Sequence, residues 1–166
     1  MTQIIGQTVG ILAVACFFIS FQFNTKKGIL VSQTAAVALF SLHYFLIGAT
    51  AGMLLNIVSI IRNVIYYHRD KKYLSSKVIP FVIATVVTVL GLLSWQGWHT
   101  LLFTAGLVIN NFFLAFGTPN GLRKSILVSS PMILIYNAAV FSVGGIINEL
   151  FCIISSVIGM VRYRKK

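Results

Sequence analysis

Seven apolar runs follow one another along this chain, each close to the length that crosses a bilayer, and basic residues cluster only in every second link between them. A spanning helix needs about 20 mainly apolar residues. The runs cover residues 4–23, 28–48, 50–68, 78–95, 98–117, 123–142 and 143–163. Periodicity does not separate helix from strand here, because the segments are apolar on all sides. Lipid does: each backbone polar group must be satisfied within its own segment, and an open strand cannot do that. The links at 48–52 and 142–145 are so short that the runs they join must be antiparallel neighbours.

The charges orient these runs. Lys26 and Lys27 lie in the first link; Arg69, Asp70, Lys71, Lys72 and Lys77 in the third; Arg123 and Lys124 in the fifth; Arg162, Arg164, Lys165 and Lys166 in the tail. The amino terminus and the second, fourth and sixth links have no Lys or Arg. Basic links face the cytoplasm. Seven spans then place the amino terminus outside and the carboxyl terminus inside. Trp95 and Trp98 suit the outer aromatic belt, and Tyr66, Tyr67, Tyr73 and Tyr163 the inner one. The first run has no basic residue ahead of it, so a retained helix is expected rather than a signal peptide.

Composition agrees. Charged residues are 9% of the chain and hydrophobic ones 58%, whereas soluble domains are about 25% charged. The net charge of +11 does not point to nucleic acid, because the Lys and Arg sit at the ends of apolar runs and form no basic stripe. Cys16 and Cys152 both fall inside apolar runs, where small apolar side chains are expected rather than a disulfide. No cysteine–histidine cluster suggests a metal, and no glycine-rich phosphate loop, Ser-His-Asp set or paired carboxylate suggests a cofactor or an enzyme.

A faint internal repeat accompanies the charge pattern. Gly10, Phe17 and Asn24 recur as Gly106, Phe113 and Asn120 at one offset. Tyr44, Gly52 and Asn56 recur as Tyr136, Gly144 and Asn148 at a slightly shorter one. The expected fold is therefore an all-α membrane protein with seven transmembrane helices. Two parallel three-helix bundles, 1–69 and 98–166, are joined by a cytoplasmic loop and linker helix at 70–97. An odd linker makes the repeats parallel, a pattern known in transporters.

The 3-1-3 layout is similar to SWEET and PQ-loop transporters and their KDEL-receptor and vitamin-transporter relatives. A nearer resemblance is to the YgjV-like family of bacterial inner-membrane proteins. It rests on residues 28–69, with His43-Tyr44-Phe45-Leu46-Ile47-Gly48, Ala51-Gly52 and Ser59-Ile60-Ile61-Arg62. Near the end it rests on Gly144-Gly145-Ile146-Ile147-Asn148-Glu149 and Val161-Arg162-Tyr163. The resemblance implies a multi-pass protein of the bacterial inner membrane and names no substrate. The Pro-Gln pair of PQ-loop proteins is absent, with Phe21-Gln22 roughly in its place; Pro131 offers one bend in the sixth run.

Ionisable groups at membrane depth are costly and read as functional. Glu149, one of two acids in the chain, sits about 9 Å below the outer boundary at 1.5 Å per residue. It reads either as a substrate or proton-coupling carboxylate or as a structural carboxyl. His43 lies at a similar depth and could pair with Glu149 and switch with pH, or be a bonded core histidine. Asn56, Asn148, Asn137, Tyr44 and Tyr136 complete one polar layer. In a SWEET-like fold the third-helix asparagines Asn56 and Asn148 would face a central cavity; otherwise they act as interhelical glue. Arg62 is deeper than a topogenic charge and either snorkels to the cytoplasm or faces an anionic group. Of Asn110 and Asn111, at most one can face a given cavity.

The expected function is transport or facilitated passage of a small polar solute by alternating access around a midplane site. Asn56, Asn148, Glu149 and His43 would form its centre, with Tyr44, Tyr136, Asn137 and Arg62 beside them. Such a site is compatible with proton coupling and with assembly of identical copies in the bilayer. The competing expectation is a non-transporting receptor or a structural partner of another membrane protein.

Overall fold

The computed structural model describes residues 2–20, 26–69, 71, 74–116 and 119–163. Over these residues the chain is all helical: α1 (Thr2–Ser20), α2 (Lys26–Leu46), α3 (Thr50–Tyr67), α4 (Ile79–Leu93), α5 (Trp98–Phe116), α6 (Pro119–Ala139) and α7 (Val143–Tyr163). Phe21, Gln22, Asn24, Asp70, Lys72, Tyr73, Arg164, Lys165 and Lys166 lie outside the described residues. For Lys26, Lys27, Asn120, Arg123, Arg162 and Tyr163 the backbone alone is described.

Three stretches are long and apolar enough to cross a membrane by themselves: Thr2–Ile19, Thr50–Tyr67 and Trp98–Phe116. Leu30–Leu46, Ile79–Leu93 and Val143–Ile158 are shorter apolar helical stretches. Every helix nonetheless turns large apolar side chains outward, among them Ile11, Phe45, Ile61, Leu92, Leu101, Val128 and Ile158. An outer surface of this kind suits hydrocarbon as its solvent. Hydroxyl groups on these helices are satisfied without water. Thr8, Thr34, Ser59, Thr85, Thr88 and Ser94 each donate to the carbonyl four residues back in their own helix.

The helices form a ring. α1 packs on α2, α2 on α3, α5 on α6 and α6 on α7, and α7 closes against α1. α3 meets α5 more briefly, and α4 lies against both. The α2–α3 and α6–α7 turns lie at one end of the ring, the turn end; Arg69, Lys71 and Lys124 lie toward the other, the basic end.

Both turns are built alike. After α2, the Gly48 N–H donates to the Phe45 carbonyl and the Ala49 N–H to the Tyr44 carbonyl. After α6, the Phe141 N–H donates to Ala138 and the Ser142 N–H to Asn137. This is the Schellman arrangement, which needs a left-handed residue at its corner. Gly48 supplies it with φ 79°. Phe141 does so with φ 54°, alone among the described non-glycine residues, at a cost of about 1 kcal/mol. The turn ends α6 at Ala139, ahead of the 142 expected from hydropathy. Gly48 thus corresponds to Phe141 and Ala49 to Ser142, a displacement one residue longer than the one linking Tyr44 to Tyr136. In this register Asn56 lies opposite Glu149 rather than Asn148.

Two close approaches set the turn end. A Cβ on Gly52 would stand 2.6 Å from the Tyr44 ring and 2.9 Å from the Tyr136 hydroxyl. A Cβ on Gly144 would stand 2.6 Å from the Gly10 carbonyl carbon, so α1 and α7 touch backbone to backbone there.

Candidate functional site

A cavity of about 510 Å³ lies inside the ring, lined by α1, α2, α3, α5, α6 and α7. No described residue of α4 reaches it. α1 contributes Phe17, and the other lining helices contribute stripes at helical spacing: Gln33, Val37, Phe40 and Tyr44 on α2; Asn56, Ser59 and Asn63 on α3; Phe103, Leu107, Asn110 and Leu114 on α5; Ile126, Ser130 and Ile133 on α6; Asn148, Cys152 and Ser155 on α7. The wall mixes aromatic and aliphatic surface with many polar side chains, a make-up that suits a polar small molecule.

Glu149 lines the cavity and is buried. The Asn148 Nδ2 donates to its Oε1 at 3.0 Å, and Ser130 of α6 lies beside the carboxyl group. Asn148 Oδ1 is buried with no hydrogen-bond partner, although buried acceptors are normally satisfied. Cys152, one turn on, borders the same space.

Arg62 enters the cavity from α3, toward the basic end. Its Nε and Nη2 both donate to Asn63 Oδ1, at 3.3 and 3.1 Å. Among the described residues no carboxylate pairs with the guanidinium and no cation pairs with Glu149. One cavity therefore holds an acidic and a basic side chain that do not pair.

The turn end is interlocked. The His43 ring, fully buried, donates from Nδ1 to the Gly6 carbonyl at 2.7 Å. Its Nε2 meets Ser142 Oγ at 2.7 Å. A carbonyl only accepts, so Nδ1 carries a proton; in the neutral ring Nε2 then accepts from the serine. Tyr44 Oη donates to Asn137 Oδ1 at 2.6 Å, and the Gly52 N–H donates to Tyr136 Oη at 2.7 Å. Tyr136 stacks on Phe103 with ring centroids 4.4 Å apart. These contacts tie α2 and α3 to α6 and the α6–α7 turn, with α1 joined through Gly6 and α5 through Phe103.

Two glutamines hold the turns themselves. Gln96 Nε2 donates to the Gly48 carbonyl and its Oε1 accepts from the Ala51 N–H, at 3.1 Å each. Gln7 Nε2 donates to the Phe141 carbonyl at 2.7 Å and its Oε1 accepts from the Val143 N–H at 3.1 Å. Gln7 of α1 thus clamps the late turn, and Gln96, just ahead of α5, clamps the early one.

At the basic end, Tyr66 Oη donates to Asn111 Oδ1 at 2.9 Å, and Asn111 Nδ2 donates to the Pro80 carbonyl at 2.8 Å. Arg69 Nη1 donates to the Ala115 carbonyl at 2.6 Å, and its guanidinium lies over the Tyr66 and Phe116 rings. These bonds hold α3, α4 and α5 together.

Of the residues singled out from sequence, Asn56, Asn148, Glu149, Tyr44 and Arg62 line the cavity. His43, Tyr136 and Asn137 do not; they form the interlock at the turn end. His43 commits both nitrogens to Gly6 and Ser142, so the anticipated His43–Glu149 pair is not formed. Asn56 donates to the Gly52 carbonyl of its own helix rather than to a neighbour. Asn110 faces the cavity and Asn111 does not. Sequence reasoning overlooked Asn63, Ser130, Phe40 and Phe103. Their stripe spacing was present, but every apolar helix offers several such stripes. Gln7 and Gln96 carried no signal, being single polar residues at run ends.

The family model Imp-YgjV, described as a bacterial inner membrane protein, matches residues 4–166. No curated protein and no solved structure matches this chain.

Proposed function

Because the chain belongs to the Imp-YgjV family of bacterial inner membrane proteins, we propose a function carried out across that bilayer: alternating-access passage of a small polar solute through the central cavity. The chain crosses seven times, with its amino terminus outside and its carboxyl terminus in the cytoplasm, as the basic links dictate. The turn end then faces outward. Residues 1–69 and 98–166 act as two parallel bundles, and α4 links them as in a SWEET-like layout.

The observation that carries this reading is the exchange of clamps at the turn end. Each turn has the same hydrogen-bond pattern; the late one is held by Gln7 of the first bundle and the early one by Gln96, in the link that leads into the second bundle. Two bundles that grip each other at one end, around a cavity with both polar and aromatic walls, form a gate when the grip releases. His43–Ser142 and Tyr44–Asn137 add to the grip. The chemistry is passage rather than catalysis, and proton coupling would run through Glu149.

The test uses Cys152 as a reporter in a Cys16→Ser background. A membrane-impermeant thiol reagent should label Cys152 from the cytoplasmic face and not from outside. Gln7→Ala with Gln96→Ala should add labelling from outside. Labelling confined to one face in both proteins would overturn alternating access. It would favour a receptor or scaffold held shut by this same bonded network.

A further inference from the structure

We propose that the solute is a zwitterion of amino-acid to dipeptide length, its ammonium seated at Glu149 and Asn148 and its carboxylate at Arg62. This rests on the transport reading above and names its substrate class. The first support is charge. Glu149 and Arg62 border one cavity, and neither has an ionic partner among the described residues. An unpaired charge at this depth is costly. A ligand with one charge would relieve one group and leave the other alone. A ligand with both relieves both.

The second support is hydrogen-bond capacity. Asn148 Oδ1 is a buried acceptor with no partner, and the carboxylate beside it is acceptor-only when ionised. That end of the cavity calls for a group that only donates, and an ammonium brings three donors. At Arg62 the situation is reversed. A guanidinium has five N–H donors, and two of this one's converge on a single acceptor, Asn63 Oδ1. The remaining donors suit a carboxylate, which an arginine can hold at two points.

The third support is spacing. Glu149 is six residues into α7 and Arg62 twelve into α3. Both helices start at the turn end, so the two differ in depth by about 9 Å. The side chains close part of that gap. An extended dipeptide, at roughly 3.5 Å per residue, fits what is left. Phe17, Phe40 and Phe103 line the same space and suit an apolar side group.

The experiment measures binding by thermal shift and uptake into proteoliposomes, using alanylphenylalanine, its N-acetyl derivative, its C-terminal amide, and phenylalanine. The zwitterions should bind and enter. Blocking either end should weaken binding about tenfold or more, the effect of losing one charged contact. Glu149→Gln should abolish discrimination against the N-acetyl derivative and keep discrimination against the amide. Arg62→Gln should do the reverse, and Arg62→Lys should retain the wild-type preference. Where Arg62→Gln fails to fold, the Glu149→Gln and Arg62→Lys arms still decide. Equal response to blocked and free forms, or response to none of the four while Cys152 labelling still alternates, would overturn the zwitterion and leave the transport reading standing. Loss of alternation itself would strike at the transport reading.

Discussion

Glu149 is the residue whose removal separates structural from functional roles. Glu149→Gln keeps the shape and a hydrogen-bonding oxygen, so folding should persist while binding of the free dipeptide weakens to that of its N-acetyl derivative. Glu149→Leu strands the Asn148 amide that now donates to it. It should lower stability further, by about 1–3 kcal/mol for an unsatisfied buried donor. Thermal denaturation of both variants in detergent, beside a ligand-binding assay, checks the pair. At Gly52 the structure leaves no room for a methyl group: its Cβ would stand 2.6 Å from the Tyr44 ring. Gly52→Ala should therefore cost about 1–3 kcal/mol by overpacking. Tyr44→Leu in the same background should recover part of it, in a double-mutant thermal-shift measurement. Residue types were legible in advance, since an acid, an arginine and asparagines at membrane depth stand out in any apolar sequence. Their directions were not. His43 and Glu149 share a depth, yet His43 turns to Gly6 and Ser142 and Glu149 turns to the cavity. Each step along a helix rotates a side chain by roughly 100°, so depth alone leaves the facing direction open.

At the scale of elements, the hydropathy runs located all seven helices, and the two short links were rightly read as antiparallel turns. Their ends moved where local bonds intervened, as at Ala139, where the Schellman turn stops α6. That turn also shifts the match between the halves by one residue, setting Asn56 opposite Glu149. Sequence identity had favoured the Asn56–Asn148 match, because identical letters are easier to see than identical backbone bonds. The clamps give an element-scale prediction. Gln7→Ala and Gln96→Ala each remove two hydrogen bonds to a turn. Each should raise amide hydrogen exchange in its own turn and leave the other turn protected. Equal loosening of both turns by either variant would mean that they do not act as separate clamps. Pro131, inside α6, cannot donate to the Leu127 carbonyl. Pro131→Ala restores that bond, and should rigidify α6 and slow passage relative to binding.

For the whole molecule, orientation is the quantity the charges foretell. A reporter fused after Lys166 should be cytoplasmic, and a tag ahead of Met1 should be accessible from outside. Both on one side would break the seven-pass count. Cryo-electron microscopy of the protein in lipid should show the two halves superposing about an axis along the membrane normal, with α4 outside that symmetry; an in-plane axis would refute parallel bundles. The sequence by itself determined the solvent, the helical class and the number of helices, together with membership of an inner-membrane family. These properties follow from what each segment requires of its own surroundings: apolar length, internally satisfied backbone, and basic residues at the ends. Only the tertiary structure decided which polar groups border the cavity and which lock the turn end. It separated Glu149, Asn148 and Arg62 from His43, Tyr136 and Asn137, which sequence had grouped with them. That division depends on how each helix is rotated and how far it is shifted against its neighbours. Close contacts such as Gly10 on Gly144 set both, and hydropathy along one segment carries no record of them.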